Sequence, residues 1–486
     1  MSDALAGLTP RTLWGHFSHI ARIPRPSKRE EGIAGWVRSV AQTHGFDIRS
    51  DAVGNLVIDV PATAGRENAP VVVLQGHLDM VCEKNRGVEH DFLRDAIRPR
   101  VEGDWVSASG TTLGSDNGIG VAAALACATD PEVVHGPLEL LFTIDEETGL
   151  TGAKRLEGRL LRGRTLLNLD SEEDGVLFVG CAGGADTHLT LATPRRPVNA
   201  GSGAHLIEVG GLRGGHSGLN IHENRGNALK ILVRLLDRAA SSHVPFELSS
   251  IAGGSAHNAI PREAHAVVHV PGADVARFGD VLAAFRDEAA SELKGIDDGL
   301  VIRFAPADSS RDALQEEARD RLIALLLALP HGVLGMSPAL PGLVETSSNL
   351  ATVATNGGAT TIVTSSRSSV APTQTAVLAS IRAAGALAGA EIETHDGYPG
   401  WKPNMASPVL AVVREVYREL WKRDPKVTAI HAGLECGLLG EKVPDLDMVS
   451  FGPQIEGAHS PEERVQISSV ARFWDALKLI LDRLSA

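Results

Sequence analysis

The most apolar stretch of this chain is "LIALLLAL", just before Pro330. It is far short of the roughly 20 residues that span a bilayer. The opening "MSDALAGLTPRTLWGHF" lacks a basic segment followed by an apolar one, so it does not read as a secretory signal. The four cysteines, Cys82, Cys127, Cys181 and Cys436, form no CxxC pair. That argues against a thiolate zinc site or a disulfide framework and fits reduced thiols in a cytoplasmic protein. There is no basic surplus: the formal net charge is −14, the wrong sign for a nucleic-acid footprint. No G-x-S-x-G elbow is present, and "GSDNGIG" lacks the Lys-Ser/Thr of a phosphate-binding loop. What remains is a soluble, cytoplasmic protein with no membrane or nucleic-acid partner.

With 43% hydrophobic and 22% charged residues the composition is that of an ordinary globular protein, and 486 residues exceed one compact core. Thr9-Pro10 reads as a helix start, and a second amphipathic helix is expected over 28–43. "GNLVIDVP", "APVVVLQGH", "LELLFTIDEE" and "RTLLNLD" read as short buried strands, and "GIGVAAALACA" as a small-residue helix after a Gly-rich turn. This alternation predicts an α/β fold with a mixed sheet and helices on both faces. Near Thr187 the pattern changes: "AHLIEVGGL" alternates, and "NALKILVRLLDRAA" carries one apolar stripe. The order helix, strand, strand, helix, strand then recurs between Arg311 and Thr394. The Pro/Gly-rich "GYPGWKPNM" reads as a crossing, after which the first style returns, with a last helix from about Pro461. The expected organisation is a catalytic domain split into 1–186 and 398–486, with a two-part α+β lid inserted over 187–397.

In the flanking parts, acidic and histidine residues gather where strands end: His77 and Asp79 in "QGHLDMV", Asp116 in "GTTLGSDNGIG", Glu146 and Glu147 in "TIDEETG", Asp170 in "LNLDSEEDG", and His459 in "GPQIEGAHS". A strand sets His77 and Asp79 on one face. An aspartate so placed orients a metal-binding histidine, or is an ordinary surface neighbour. Taken singly, Asp116 is equally a turn aspartate before Asn-Gly, the glutamate pair a solvated loop, Asp170 a turn cap and His459 a surface residue. Their convergence from five strand ends, all outside the insertion, points to a hydrolytic site for zinc, cobalt or manganese. Two such ions need a bridging carboxylate. Of two adjacent glutamates, one binds metal while its neighbour handles the attacking water.

These motifs, with "VVHGPLELLFTIDEETGLTGA" and "GCAGG", resemble the aminoacyl-histidine dipeptidases (Xaa-His dipeptidases, carnosinase-like) of the M20 metallopeptidase group, in order and over essentially the whole chain. The resemblance implies a two-zinc exopeptidase for dipeptides, Xaa-His and β-Ala-His among them, with a hydroxide shared by the two ions as nucleophile. It implies His77 and Asp170 on one ion, Glu147 and His459 on the other, and Asp116 bridging through a cis Asp116–Asn117 bond. Asp79 would orient His77, and Glu146 would serve as general base and proton donor. Asp145, just before the pair, departs from the pattern and leaves open how the pair is held.

In the insertion, His216 of "LRGGHSGLNI" is by itself an ordinary loop histidine; the resemblance makes it the donor that polarises the scissile carbonyl. Asn258 of "SAHNAIPREA" is a turn amide or, by the resemblance, a donor to substrate. Arg367 of "VTSSRSS" is a solvated arginine or the fork that clamps a C-terminal carboxylate. Glu435 of "HAGLECG" is a substrate amino-group partner or a helix-start glutamate. A dipeptide site needs closure. The doubled insertion suggests that His216 acts within its own chain, with a homodimer compatible but not required. The rival readings are an amidase or aminoacylase on N-acyl amino acids and a catalytically dead metal-binding protein.

Overall fold

The segments read as buried strands pair with one another in the computed structural model, which describes residues 4–308, 311–395 and 397–486. Val72–His77 lies between Leu138–Thr143 and Thr165–Asn168, parallel to both, and Asp447–Ser450 continues the parallel set. Leu56–Val60 and Asp47–Ser50 extend one side antiparallel. Val176–Cys181 and Lys426–Ile430 complete eight strands on the other. Every residue of Val72–His77 and Leu138–Thr143 is buried, which is why they are continuous apolar runs and not alternations. A parallel set brings its carboxyl ends to one edge, where loops can build a site.

The chain divides into two compact units. The first runs to Cys181 and resumes over Trp401–Ala429 and Leu434–Ala486; the second is Ala182–Gly400 with Ile430–Gly433. These limits differ from the expected 187–397. Gly183–Ala192 is one continuous strand of the second unit's sheet, so a boundary at 187 would cut it. The small piece Ile430–Gly433 joins the second unit because the Ala182 N–H donates to the carbonyls of Ile430 and Ala432.

The second unit is a nine-stranded sheet built from two halves of the same topology. Each half runs strand, helix, strand, strand, helix, strand. The first comprises Ser202–Gly210, Ala228–Ser241, Glu247–Gly253, Ala264–Pro271, Val275–Glu292 and Val301–Pro306. The other comprises Gly183–Ala192, Glu316–Ala328, Val344–Asn356, Ala359–Ser368, Ala371–Ala388 and Glu391–Thr394, with Gly332–Met336 as an added strand. In both, the strands lie in the order fourth, first, third, second, and the two second strands join the halves. The first half is thus inserted after the first strand of the other. Leu229, Leu232, Val233 and Leu236 of Ala228–Ser241 belong to the apolar core with Ile207, Val209 and Val268 of the sheet. Asn227 caps that helix, its side chain accepting from the Lys230 N–H at 3.1 Å.

Three element starts differ from expectation. The first helix begins at Arg11, with Pro10 at the cap position and no side-chain cap. The second begins at Glu31, since Lys28 has φ +68°, outside the helical region. The last begins at Ile467, because Arg464–Gln466 is a strand paired with Trp105–Ala108.

Candidate active site

His77 is the last residue of Val72–His77. Its Nε2 lies 3.1 Å from Asp116 Oδ1 and 3.3 Å from Asp170 Oδ1. His459 Nε2 lies 3.1 Å from Asp116 Oδ2 and 3.0 Å from Glu147 Oε2. Asp116 therefore turns one carboxylate oxygen to each imidazole. Two triads, His77–Asp116–Asp170 and Asp116–Glu147–His459, each offer ligand atoms within 4.8 Å of one another, and Glu146 joins His77 and Glu147 in a third. One expectation changes: Asp116 does not end a strand. It sits in the irregular first turn of Ser115–Thr129, with φ −80° and ψ 113°, and its bond to Asn117 is cis.

The local sequence explains this approach. Gly76 leaves room for Asn117, whose Oδ1 would lie 2.3 Å from a Cβ there, and Asn117 Nδ2 donates to the Leu169 carbonyl at 2.8 Å. The Asp116 loop is also clasped by Glu463, a buried carboxylate. Its oxygens accept the N–H groups of Leu113 (2.7 Å), Gly114 (2.9 Å), Ser115 (2.7 Å) and Asp116 (3.2 Å), plus the Ser115 hydroxyl (2.6 Å). Buried Arg25 donates to the carbonyls of Leu78, Asp79 and Gly114, tying the His77 loop to the Asp116 loop. Neither residue was singled out from sequence. Arg25 between two prolines in "IPRPS", and Glu463 four residues after His459, were the available signals.

Asp79 does two jobs. Its Oδ1 is 3.4 Å from His77 Nδ1, within ion-pair reach though long for a hydrogen bond. The same carboxylate accepts the N–H groups of Glu146 (3.0 Å) and Glu147 (3.1 Å), and the Ser27 hydroxyl (2.7 Å). One aspartate therefore orients the histidine and fastens the glutamate pair. Asp145 holds the pair from the other side. It is buried at φ +48°, accepts the hydroxyls of Thr148 and Thr151, and gives its own N–H to Glu30 Oε1 at 2.9 Å. Leu150 is left-handed as well, at φ +53°, so the short helix Glu146–Gly149 is pinched between two residues in a costly conformation.

Burial alone would raise Asp79, but the adjacent His77 imidazole and hydrogen bonds from Glu146 and Ser27 hold it at about 2. Burial and the neighbouring Asp116 and Glu147 push Asp170 up to about 6, against the pull of His77. Burial, Asp170, Glu435 and Glu147 likewise raise Glu146 well above the usual carboxylate range. The hydrogen bond to Asp116, with that to Glu147, lifts His459 to about 11. Five carboxylates, Asp79, Asp116, Glu146, Glu147 and Asp170, crowd two imidazoles, and Glu147 Oε1 is buried without a hydrogen-bond partner. The oxygen and nitrogen donors, the bridging Asp116 and that lone oxygen all fit a pair of divalent cations.

Glu435 is fully buried as the first residue of helix Glu435–Lys442. Its Oε2 accepts from Gln75 Nε2 (2.6 Å) and Thr143 Oγ1 (2.7 Å). Its other oxygen, Oε1, is buried without a hydrogen-bond partner.

In the second unit, His216 pairs with Ala259 in a two-strand ribbon, which puts the exposed turn residue Asn258 beside it. The Asn258 carbonyl accepts the Ser217 N–H at 2.8 Å. His216 Nδ1 accepts the N–H groups of Gly218 (3.2 Å) and Leu219 (3.0 Å), which leaves the proton on Nε2. Burial, with Arg367 and His257, lowers this imidazole to about 4, so it is neutral. Arg367 is not a solvated arginine. It is 8% exposed, sits in Ala359–Ser368 opposite Ser347, and donates to Tyr398 Oη at 2.8 Å. Ser347 Oγ is 2.8 Å from His431 Nε2. Tyr398 lies in a segment read as a crossing, and His431 opens the same "HAGLECG" stretch in which only Glu435 is singled out.

The sequence model of peptidase family M20/M25/M40 matches residues 73–483. The chain is 43% identical over 482 residues to the cytosol non-specific dipeptidase of Escherichia coli (strain K12), covering 99% of each. Its fold superposes on the crystal structure of aminoacylhistidine dipeptidase from Vibrio alginolyticus with a TM-score of 0.94, at 42% identity, covering 99% of this chain and 98% of that one. Aminopeptidase PepT from Bacillus cereus shares the fold alone, with a TM-score of 0.57 at 15% identity, covering 99% of this chain and 100% of that one. By its sequence, its fold and the arrangement of its carboxylates and imidazoles, this chain belongs to peptidase family M20/M25/M40.

Proposed function

We propose that this protein is a metal-dependent dipeptidase, with two zinc ions held by His77, Asp116, Glu147, Asp170 and His459. The observation that carries the reading is Asp116, whose two oxygens each lie 3.1 Å from a different imidazole. Glu146 sits beside this ligand set as an extra carboxylate. Bound divalent ions supply the Lewis acidity that activates water and polarises a carbonyl. Glu146, raised by burial and by its neighbours, takes the proton from the attacking water and passes it to the departing amine. His216, neutral and protonated at Nε2, donates to the carbonyl oxygen as negative charge develops there. Arg367 holds the substrate's terminal carboxylate, and Asn258 adds a polar contact. Dipeptides ending in histidine, β-Ala-His included, are among the substrates.

The test strips the protein with chelator and restores zinc, manganese or cobalt. Cleavage is then followed on Gly-His, β-Ala-His, Gly-Leu, Gly-His-Gly and an N-acetyl amino acid. Metal-dependent cleavage of the dipeptides is expected. Cleavage of the N-acetyl compound instead would make the protein an amidase, and bound metal with no cleavage would overturn an enzymatic role.

A further inference from the structure

Directly below the ligands, the apolar sheet is interrupted by a polar layer. Gln75, Thr143, Asn168 and Glu435 are all fully buried. Gln75 Nε2 and Thr143 Oγ1 both donate to Glu435 Oε2, at 2.6 Å and 2.7 Å, and Asn168 Nδ2 donates to Gln75 Oε1. These three partners lie on the three adjacent strands Val72–His77, Leu138–Thr143 and Thr165–Asn168. Each strand delivers a candidate ligand or the candidate base just beyond. His77 is two residues after Gln75, Asp170 two after Asn168, and Glu146 and Glu147 three and four after Thr143. A polar group in a sheet interior costs stability unless it is paired, and four residues sharing one network at this level need a reason.

We infer that Glu435 is a positioning residue, a buried carboxylate that locks together the three strand ends carrying His77, the Glu146–Glu147 pair and Asp170. The inference rests on the metal-centre reading above. Two metal ions require their ligands to agree to about 0.5 Å, and these ligands come from three separate strands. Glu435 accepts from two strands at once, and Gln75 passes the restraint to the third. The rival role, a direct contact with the substrate's amino group, would use the same carboxylate in another way.

The two roles separate in a transposition. In the double variant Gln75→Glu/Glu435→Gln, the carboxylate and the amide change places. Position 75 then accepts from Asn168 and from the new amide, and position 435 still accepts from Thr143. Three forms are compared with wild type: Glu435→Leu, Thr143→Val and the transposed pair. The readouts are zinc affinity by calorimetry, the visible spectrum of the cobalt form, and kcat and KM on Gly-Leu.

Glu435→Leu is expected to lose about 10- to 100-fold in metal affinity and kcat, the usual cost of removing a partner behind a ligand, with KM little changed. Thr143→Val should move the same way by less. The transposed pair should recover the cobalt spectrum and most of kcat. Wild-type metal affinity and spectrum in Thr143→Val and Glu435→Leu would overturn the inference. So would a transposed pair that restores the spectrum but has a KM raised tenfold, which would mark a substrate contact. If Glu435→Leu does not fold, the transposed pair and Thr143→Val decide. If wild type cleaves no dipeptide, the dipeptidase reading fails alone, since metal affinity and spectrum still report on Glu435.

Discussion

The two units hold their candidate groups in opposite ways. In the first, His77, Asp79, the Glu146–Glu147 pair and Asp170 sit on or just beyond strand ends and Asp116 in the first turn of a helix, and the supports come from several sides: Asp79 is held by two backbone N–H groups and a hydroxyl, Asp116 by a loop that Glu463 clasps. In the second, His216 sits on a two-residue strand and Asn258 in an exposed turn, while Arg367 alone is anchored in a long strand. A metal cluster tolerates little positional error, so its ligands belong on a packed sheet. Groups that recognise a substrate need reach, and loops provide it. Rigidity and reach are thus divided between the units.

The largest effects should come from the first unit. Glu146→Gln keeps shape and removes the base, so kcat should fall about 10³-fold or more, with bound metal unchanged by elemental analysis. A variant keeping a tenth of its activity would move the proton-transfer role elsewhere. Next comes His216→Ala. If its Nε2–H serves only the developing oxyanion, kcat should drop about 10²- to 10³-fold with KM nearly constant. A rise in KM instead would make it a ground-state contact, and the contrast between the units would weaken. Third is Arg367→Ala, expected to cost about 10²-fold in kcat/KM on dipeptides, from the loss of a charge-assisted pair. Dipeptide amides, which offer no carboxylate, should be equally poor substrates of both forms.

The sequence made the first unit's ligands legible for a physical reason. A buried parallel strand must be apolar throughout, so a histidine or carboxylate just past its end stands out against Val, Leu and Ile. Asp116 was legible as a residue but not as a place, because the irregular turn that carries it depends on Gly76 and on Asn117 reaching Leu169. Glu463 and Arg25 were not legible. They act through backbone groups of loops hundreds or tens of residues away, and no local pattern records such a bond. In the second unit, the repeat of elements was visible, but its true form was not. The other half's first strand, Gly183–Ala192, precedes the half inserted after it, and a reading that moves along the chain, with its boundary at 187, divides that strand between two domains. Glu463→Gln tests how much such hidden supports matter. Its amide can accept fewer of the four backbone N–H groups, so metal affinity should fall about tenfold, less than the changes above.

The smallest expected effect separates the units by pH. His431 is buried in the second unit, and burial, with Arg367 and His216, lowers it to about 3. Unfolded, an imidazole titrates near 6.5. Between those values the unfolded chain binds a proton that the folded chain refuses, so stability falls as pH drops from about 6.5 toward 3. Asp79 in the first unit behaves differently. Its folded value of about 2 lies below the ordinary 3.8, so its contribution is intact at pH 5 and is lost only as pH falls through 3.8 toward 2. Melting temperature followed from pH 7 to 4.5 should therefore decline less steeply in His431→Gln than in wild type. Gln keeps an amide to face the Ser347 hydroxyl but takes up no proton. Parallel declines would mean that His431 is protonated in the folded protein, and the second unit would then hold a buried cation beside Arg367 rather than a neutral imidazole.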